Sequence, residues 1–219
     1  MSGLVQTAEP AGEPVTLAQA KEWLRVDSSD EDSLITTLIE AARQRVEEIT
    51  RRALITQQFE FSLDQFPTGG RVISGAFQSN SRLVIQSRGG FDCGREILLP
   101  KPPLVSVQSL KYYDQDGTLQ TLDSAAYHVD AAAKPGRIVL ADNYDWPEVS
   151  IRPNAVVIAY TAGYGDAPGE IPQALRVAIK FMLAHWYSTR TPINVGSIMS
   201  QVPETAEALL WQYRIPEFY

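Results

Sequence analysis

The stretch that most limits how this chain can fold is Pro172 to Tyr187, PQALRVAIKFMLAHWY. Leu175, Ile179, Met182, Leu183 and Trp186 fall on one helical face, and Val177 and Phe181 widen it. Only Gln173, Arg176 and Lys180 mark a polar stripe. A helix apolar around most of its circumference must be buried on several sides, in its own bundle or against another copy of the chain. Both readings stay open from the residues alone. The spacing places Pro172 at the first helical position, with Glu170 near the positive end of the dipole and Arg190 near the negative end. Thr191 before Pro192 stops the helix near 188–190.

The flanking chain supplies helices to pack against it. Thr16 opens a capping box with Gln19 and starts a short helix to about Arg25, with Leu17, Ala20 and Leu24 on one face. The acidic run Asp27 to Asp32 reads as a helix start, with Ser29 as N-cap and the acids that follow on the first-turn dipole. It lacks the glycine and the final glutamate of a calcium loop. The second helix, about Glu31 to Arg51, buries Ile35, Leu38, Ile39, Ala42, Val46 and Ile49. Its other face carries Glu47 with Arg51 and Glu48 with Arg52 as i,i+4 pairs, each worth about 0.3 kcal/mol. Pro203-Glu204 opens a last helix with Ala206, Leu209, Leu210 and Tyr213 on one side.

Between the second and third helices the period changes from 3.6 to 2. Strands are expected from Phe59 to Leu63, Ile97 to Leu99, Val105 to Tyr113, Thr118 to Leu122, Tyr127 to Asp130, Arg137 to Leu140 and Ala155 to Thr161, with one short candidate at Leu83 to Ile85. Turns at Asp116-Gly117 and Lys134-Pro135-Gly136 join two hairpins, and the nearly all-apolar last strand is expected in the sheet centre. The fold class is therefore α+β. A helical bundle comes from 15–53 and 168–214, with an antiparallel β subdomain at 54–167 and a polar excursion at 67–95. Residues 1–14 read as a flexible arm, and 215–219 as a tail that carries Phe218 and Tyr219.

Charge and composition narrow the function. A formal charge of −7 argues against a surface that grips phosphate backbones, so a nucleic-acid-binding packaging factor is disfavoured, although DNA could slide past an acidic wall. One cysteine, Cys93, and two histidines leave no zinc set, no cofactor motif occurs, and no run is long enough to span a membrane. No nucleophile elbow, phosphate loop, zincin or dinucleotide pattern is present. His128 and His185 read as packed or surface residues, and Asp114 and Asp116 as turn formers. The glycines of Tyr160 to Gly165 bring a strand round into a helix. No catalytic residue is assigned, but carboxylates that act at a distance in sequence leave a small-molecule or glycan enzyme or binding module on the β subdomain as the alternative.

The ordered set VTLAQAKEWLRVD (15–27), DEDSLITTLIEAARQRVEEITRRALITQ (30–57), PKPPLVSVQSLKYYDQDG (100–117), YHVD (127–130), PGRIVL (135–140), YTAGYG (160–165), IPQALRVAIKFMLAHWYSTR (171–190) and LLWQYR (209–214) resembles the head-to-tail connector proteins of long-tailed phages and gene transfer agents. Residues 67–95 are longer and more polar than that pattern. The resemblance implies a structural adaptor without catalysis. It implies a homo-oligomeric ring, usually twelve-fold, docked under the portal in the virion neck and assembled in the host cytoplasm. Its partners would be the portal protein and the next connector or tail-completion protein, with DNA passing through the lumen unbound. It carries a portal contact onto Leu209, Leu210, Tyr213 and Arg214, to which the exposed-aromatic argument adds Phe218 and Tyr219. On the ring reading, Leu175, Ile179, Phe181, Leu183 and Trp186 form the subunit interface.

Overall fold

A computed structural model describes residues 2–67, 94–189 and 203–215. The described chain forms two compact units: residues 10–56 with 164–215, which is helical, and residues 2–9 with 57–163, which is β.

The helical unit contains α1 (Leu17–Leu24), α2 (Asp32–Thr50), α3 (Gln173–Ser188) and α4 (Glu204–Trp211). Helices from both sides of the β region in sequence thus pack together, as the α+β reading requires. Its core joins Ile35, Ile39, Ala42 and Val46 of α2 to Leu175, Ala178, Ile179, Met182 and Leu183 of α3 and to Ala206 and Leu210 of α4. The capping box at Thr16 and Gln19 is present, with both reciprocal bonds formed. Other helix ends differ from expectation. The N-cap of α2 is Glu31, not Ser29, because Ser28 already satisfies the Asp30 N–H and Asp32 turns to Lys21 at 2.6 Å. Pro172 is the N-cap of α3, not its first helical residue, and its carbonyl accepts from the Leu175 N–H. Glu170 belongs to the preceding 3₁₀ turn, Pro168–Glu170, and accepts from the Ala167 N–H at 2.9 Å. Gly165 meets a real constraint there: at φ 151° its absent Cβ would lie 2.1 Å from a Glu170 oxygen.

The face of α2 expected to be polar is partly internal. Arg43 and Glu47 are buried; Arg43 donates to Glu13 at 2.9 Å and to Glu47 at 3.2 Å, and Glu47 also accepts the Leu54 N–H at 2.8 Å. Glu48 pairs with Arg45, while Arg52 donates to a backbone carbonyl.

The β unit has a five-stranded antiparallel sheet in the order β1 (Ser2–Ala8), β2 (Gln57–Leu63), β8 (Val156–Ala162), β4 (Leu104–Tyr113), β5 (Leu119–Thr121). A smaller sheet has the order β3 (Glu96–Leu98), β7 (Arg137–Leu140), β6 (Tyr127–Asp130). The last long strand is central, as its apolar run implies. The expected flexible arm is corrected: Ser2–Ala8 is an edge strand in register with β2, Leu4 opposite Phe61. Phe59, Phe61, Ile158 and Tyr160 share the buried face of the large sheet, with Phe59 stacked on Tyr160 at 5.6 Å. Burial pushes the Tyr160 phenol pKa up, and its hydroxyl donates to the Pro100 carbonyl at 2.9 Å. The strand expectation at 83–85 and Cys93 lie outside the described residues.

Two outcomes test this packing. Ile179→Ala, at a fully buried position, should cost about 2–5 kcal/mol in denaturant unfolding. Burial, only partly offset by Arg43, raises the pKa of Glu13 above 4.5. The folded state therefore binds this proton more tightly than the unfolded chain, and the resulting stability is lost as pH rises through the folded pKa. Thermal unfolding should show the stability of the natural chain relative to Glu13→Gln increasing as pH falls toward 4.5.

Candidate interaction surfaces

Among the described residues no three His, Cys, Asp or Glu side chains come together as a metal site, and no helix is long and apolar enough to cross a membrane. His128 is exposed on β6, and His185 is half-buried on α3. Asp114 is a turn residue: it accepts from the Gln120 side chain and from the Thr118 and Asp116 N–H groups, all within 3.1 Å. The Gln120 hydrogen bond, then these N–H groups, hold its pKa below the usual carboxylate value. The features that remain are surfaces.

In the helical unit, three of the five expected interface residues are consumed internally. Leu175, Ile179 and Leu183 are fully buried against α2 and α4, so they cannot meet a second copy while the bundle is intact. This corrects the interface expectation at those positions; Phe181 and Trp186 are half-buried at the margin of the core. Phe181 meets the edge of Trp23 at 5.6 Å, and the Lys180 ammonium lies 5.6 Å from the centre of the same indole. Trp23 is nevertheless 42% exposed. An aromatic pair with a cation over it, open to solvent, is the kind of anchor that interfaces use. Trp23 lies in the capped helix α1, whose short apolar stripe gave no hint that one position would stay uncovered.

The C-terminal residues divide in the same way. Leu210 is fully buried, and Leu209 and Tyr213 pack on the core. A contact through Leu210 is therefore corrected to a core role. Arg214 is exposed, with its guanidinium 5.7 Å from the centre of the Trp211 ring. Trp211 is 68% exposed; it stands about 100° round α4 from the buried Leu210, and the one-sided apolar reading of this helix passed over it. Phe218 and Tyr219 lie outside the described residues.

The segment after α4 is strapped to the end of α2. Arg52 Nε donates to the Tyr213 carbonyl at 2.6 Å, and the Ile215 N–H donates to the Thr50 carbonyl at 3.1 Å. Arg51 closes α2 in a left-handed conformation at φ 59°. Partial burial, then the positive charge of Arg214, lowers its pKa. The arrangement fixes where the chain leaves the bundle and places Trp211 and Arg214 beside that point.

In the β unit some uncovered apolar residues lie on strands of the large sheet. Val5 on β1 is 59% exposed and Val105 on β4 is 51% exposed.

Residues 14–75 match the family model described as phage gp6-like head-tail connector protein. Over that stretch, under a third of its length, the chain is similar to that family. Among solved structures, the chain is similar to one in the neck of an empty gene transfer agent (GTA) particle computed with C6 symmetry, at TM-score 0.71 and 21% identity. It is also similar to one in the virion of the native GTA particle, at 0.71 and 19%, and to one in the neck of the native particle computed with C12 symmetry, at 0.69 and 20%. Each likeness covers 99% of this chain and 97% of the other, and at these identities it is a likeness of fold. No curated protein matches in sequence. The matched stretch contains α1, α2 and β2, so it includes Trp23, the buried Arg43 and Glu47, and the Arg52 strap.

Replacing Arg52 with Gln should weaken the strap. Hydrogen exchange at the Ile215 amide should speed up, and stability should fall by about 1–3 kcal/mol, as for a buried charge-assisted hydrogen bond.

Proposed function

We propose that this chain is a structural head-to-tail connector of a tailed phage or phage-like particle. It works as a ring, twelve-fold, beneath the portal, where it extends the DNA channel and presents a docking surface to the next connector or tail component. The observation that carries this reading is the connector match over residues 14–75. The fold likeness to neck proteins along 99% of the chain supports it. The net charge of −7 suits a lumen that lets DNA pass without holding it. The chain is placed in the neck of the particle, after assembly in the host cytoplasm, and it is assigned no catalytic step.

On this reading the surfaces take distinct roles. Trp211 and Arg214, at the exit point of the C-terminal chain, meet the portal, with Phe218 and Tyr219 continuing that contact. Trp23 and Phe181 face a neighbouring subunit, with Trp186 at the margin. Leu209 and Tyr213 support the portal contact by fixing α4 on the core.

The mass of the full chain by light scattering behind a sizing column, alone and with its portal protein, tests the reading. A ring-sized species, or a monomer that joins the portal, is expected; a monomer indifferent to the portal would overturn it. Removing 209–219 is a poor probe of the contact, because it takes away the buried Leu210 and should cost about 2–5 kcal/mol. Trp211→Ala with Arg214→Glu acts on exposed groups instead. It should leave the melting temperature nearly unchanged and reduce portal binding at least tenfold.

A further inference from the structure

The large sheet ends on two edges that fit each other. β1 pairs with β2 on its inner side and with no strand on its outer side among the described residues. At the opposite end β5 covers only Lys111 to Tyr113 of β4. The Leu122 N–H reaches the Leu110 carbonyl on that side, so residues 104–109 are the stretch of β4 whose outer side carries no strand among the described residues, and it is nearly as long as β1. The two sequences are SGLVQTA and LVSVQS, without charge or proline. Natural sheets usually blunt an exposed edge with charges or proline, because its free N–H and C=O groups recruit another strand. Two bulges bend β4, and an added strand would have to follow that twist.

Direction and face agree with one occupant. Every neighbouring pair from β1 to β4 is antiparallel, so β1 runs with β8 and against β4. If a second copy continues the sheet in the same sense, its β1 meets the open side of β4 antiparallel. Val5 sits opposite Glu60, and Ser106 opposite Thr161, so both lie on the face away from Phe59 and Tyr160. Placing Val5 beside Ser106 therefore preserves the pleat.

We propose that β1 of one copy adds to β4 of the next, so that the sheet continues from subunit to subunit. This rests on the connector reading, in which the chain works as a ring. The two edges are different surfaces, so the contact is head-to-tail and closes when the rotation permits. Pairing of β1 with β1 would instead stop at two copies and leave β4 open.

The test combines Val5→Cys and Ser106→Cys in a Cys93→Ser background, assembles the full chain with the portal, and treats it with a short bismaleimide. A covalent ladder of subunits is expected on a denaturing gel, with single variants giving monomers. Portal-bound rings without a ladder would overturn the sheet contact and leave the connector reading intact. Failure of the natural chain to assemble at all would overturn the connector reading and this contact with it. Dimers from Val5→Cys alone would identify β1 pairing with itself and also refute the proposal. As a second measurement, Val5→Lys with Val105→Lys changes two exposed positions. It should leave the melting temperature unchanged and weaken ring assembly at least tenfold, whereas assembly like that of the natural chain would count against the contact.

Discussion

Everything in the helical unit depends on α3 being enclosed. Five of its residues, Leu175, Ala178, Ile179, Met182 and Leu183, have no exposed surface. They are spread over too much of the circumference for one partner helix to cover them. α2 takes one side through Ile35, Ile39 and Val46, and α4 takes another through Ala206 and Leu210. The eight-residue α4 is too short to be stable alone in water, so its existence rests on this contact. The position of Trp211 follows in turn, because a helix that commits Ala206 and Leu210 to the core must turn that indole outward.

Buried charge supplies a second layer of order. Removing ions from water is costly, and a buried pair often adds little net stability over an apolar replacement. Here charged groups on α2, and Arg52 just beyond its end, bind chain that has no other regular structure. Arg43 holds Glu13, Glu47 holds the Leu54 N–H, and Arg52 holds the Tyr213 carbonyl. Three segments far apart in sequence are thereby tied to one helix. Their value lies in position, and hydrophobic contacts could not set the path of a backbone so narrowly.

Periodicity made much of the fold legible. The apolar spacings of Ile35 to Ile49 and of Leu175 to Trp186 locate two helices, and the alternation of Phe59, Phe61 and Leu63 locates a buried strand face. The features that were missed depend on long-range pairing. Ser2–Ala8 has no strong alternation and becomes a strand only because β2 offers it an edge. Glu47 looks like a surface residue until Leu54 and Arg43 are placed beside it. For the surfaces, sequence could say that α3 must be buried but not by what. It therefore assigned Leu175, Ile179 and Leu183 to a neighbouring subunit when their own bundle covers them. Trp23 and Trp211 were invisible for the converse reason: solvent exposure of one tryptophan is decided by packing around it.

This division has a consequence for assembly on the connector reading. If the widest apolar helix is spent inside the subunit, that helix cannot supply a large shared core for a ring. Among the described residues, what stays outside includes small anchors: the Trp23–Phe181 pair, Trp211 with Arg214, and the strands carrying Val5 and Val105. Contacts of this size are weak singly, because association must first overcome the lost freedom of each subunit. They become strong when one partner presents many copies at once, since each further subunit then binds at high effective concentration. On the connector reading, a subunit built in this way would fold on its own core and assemble on a template, which would separate folding from ring formation in time.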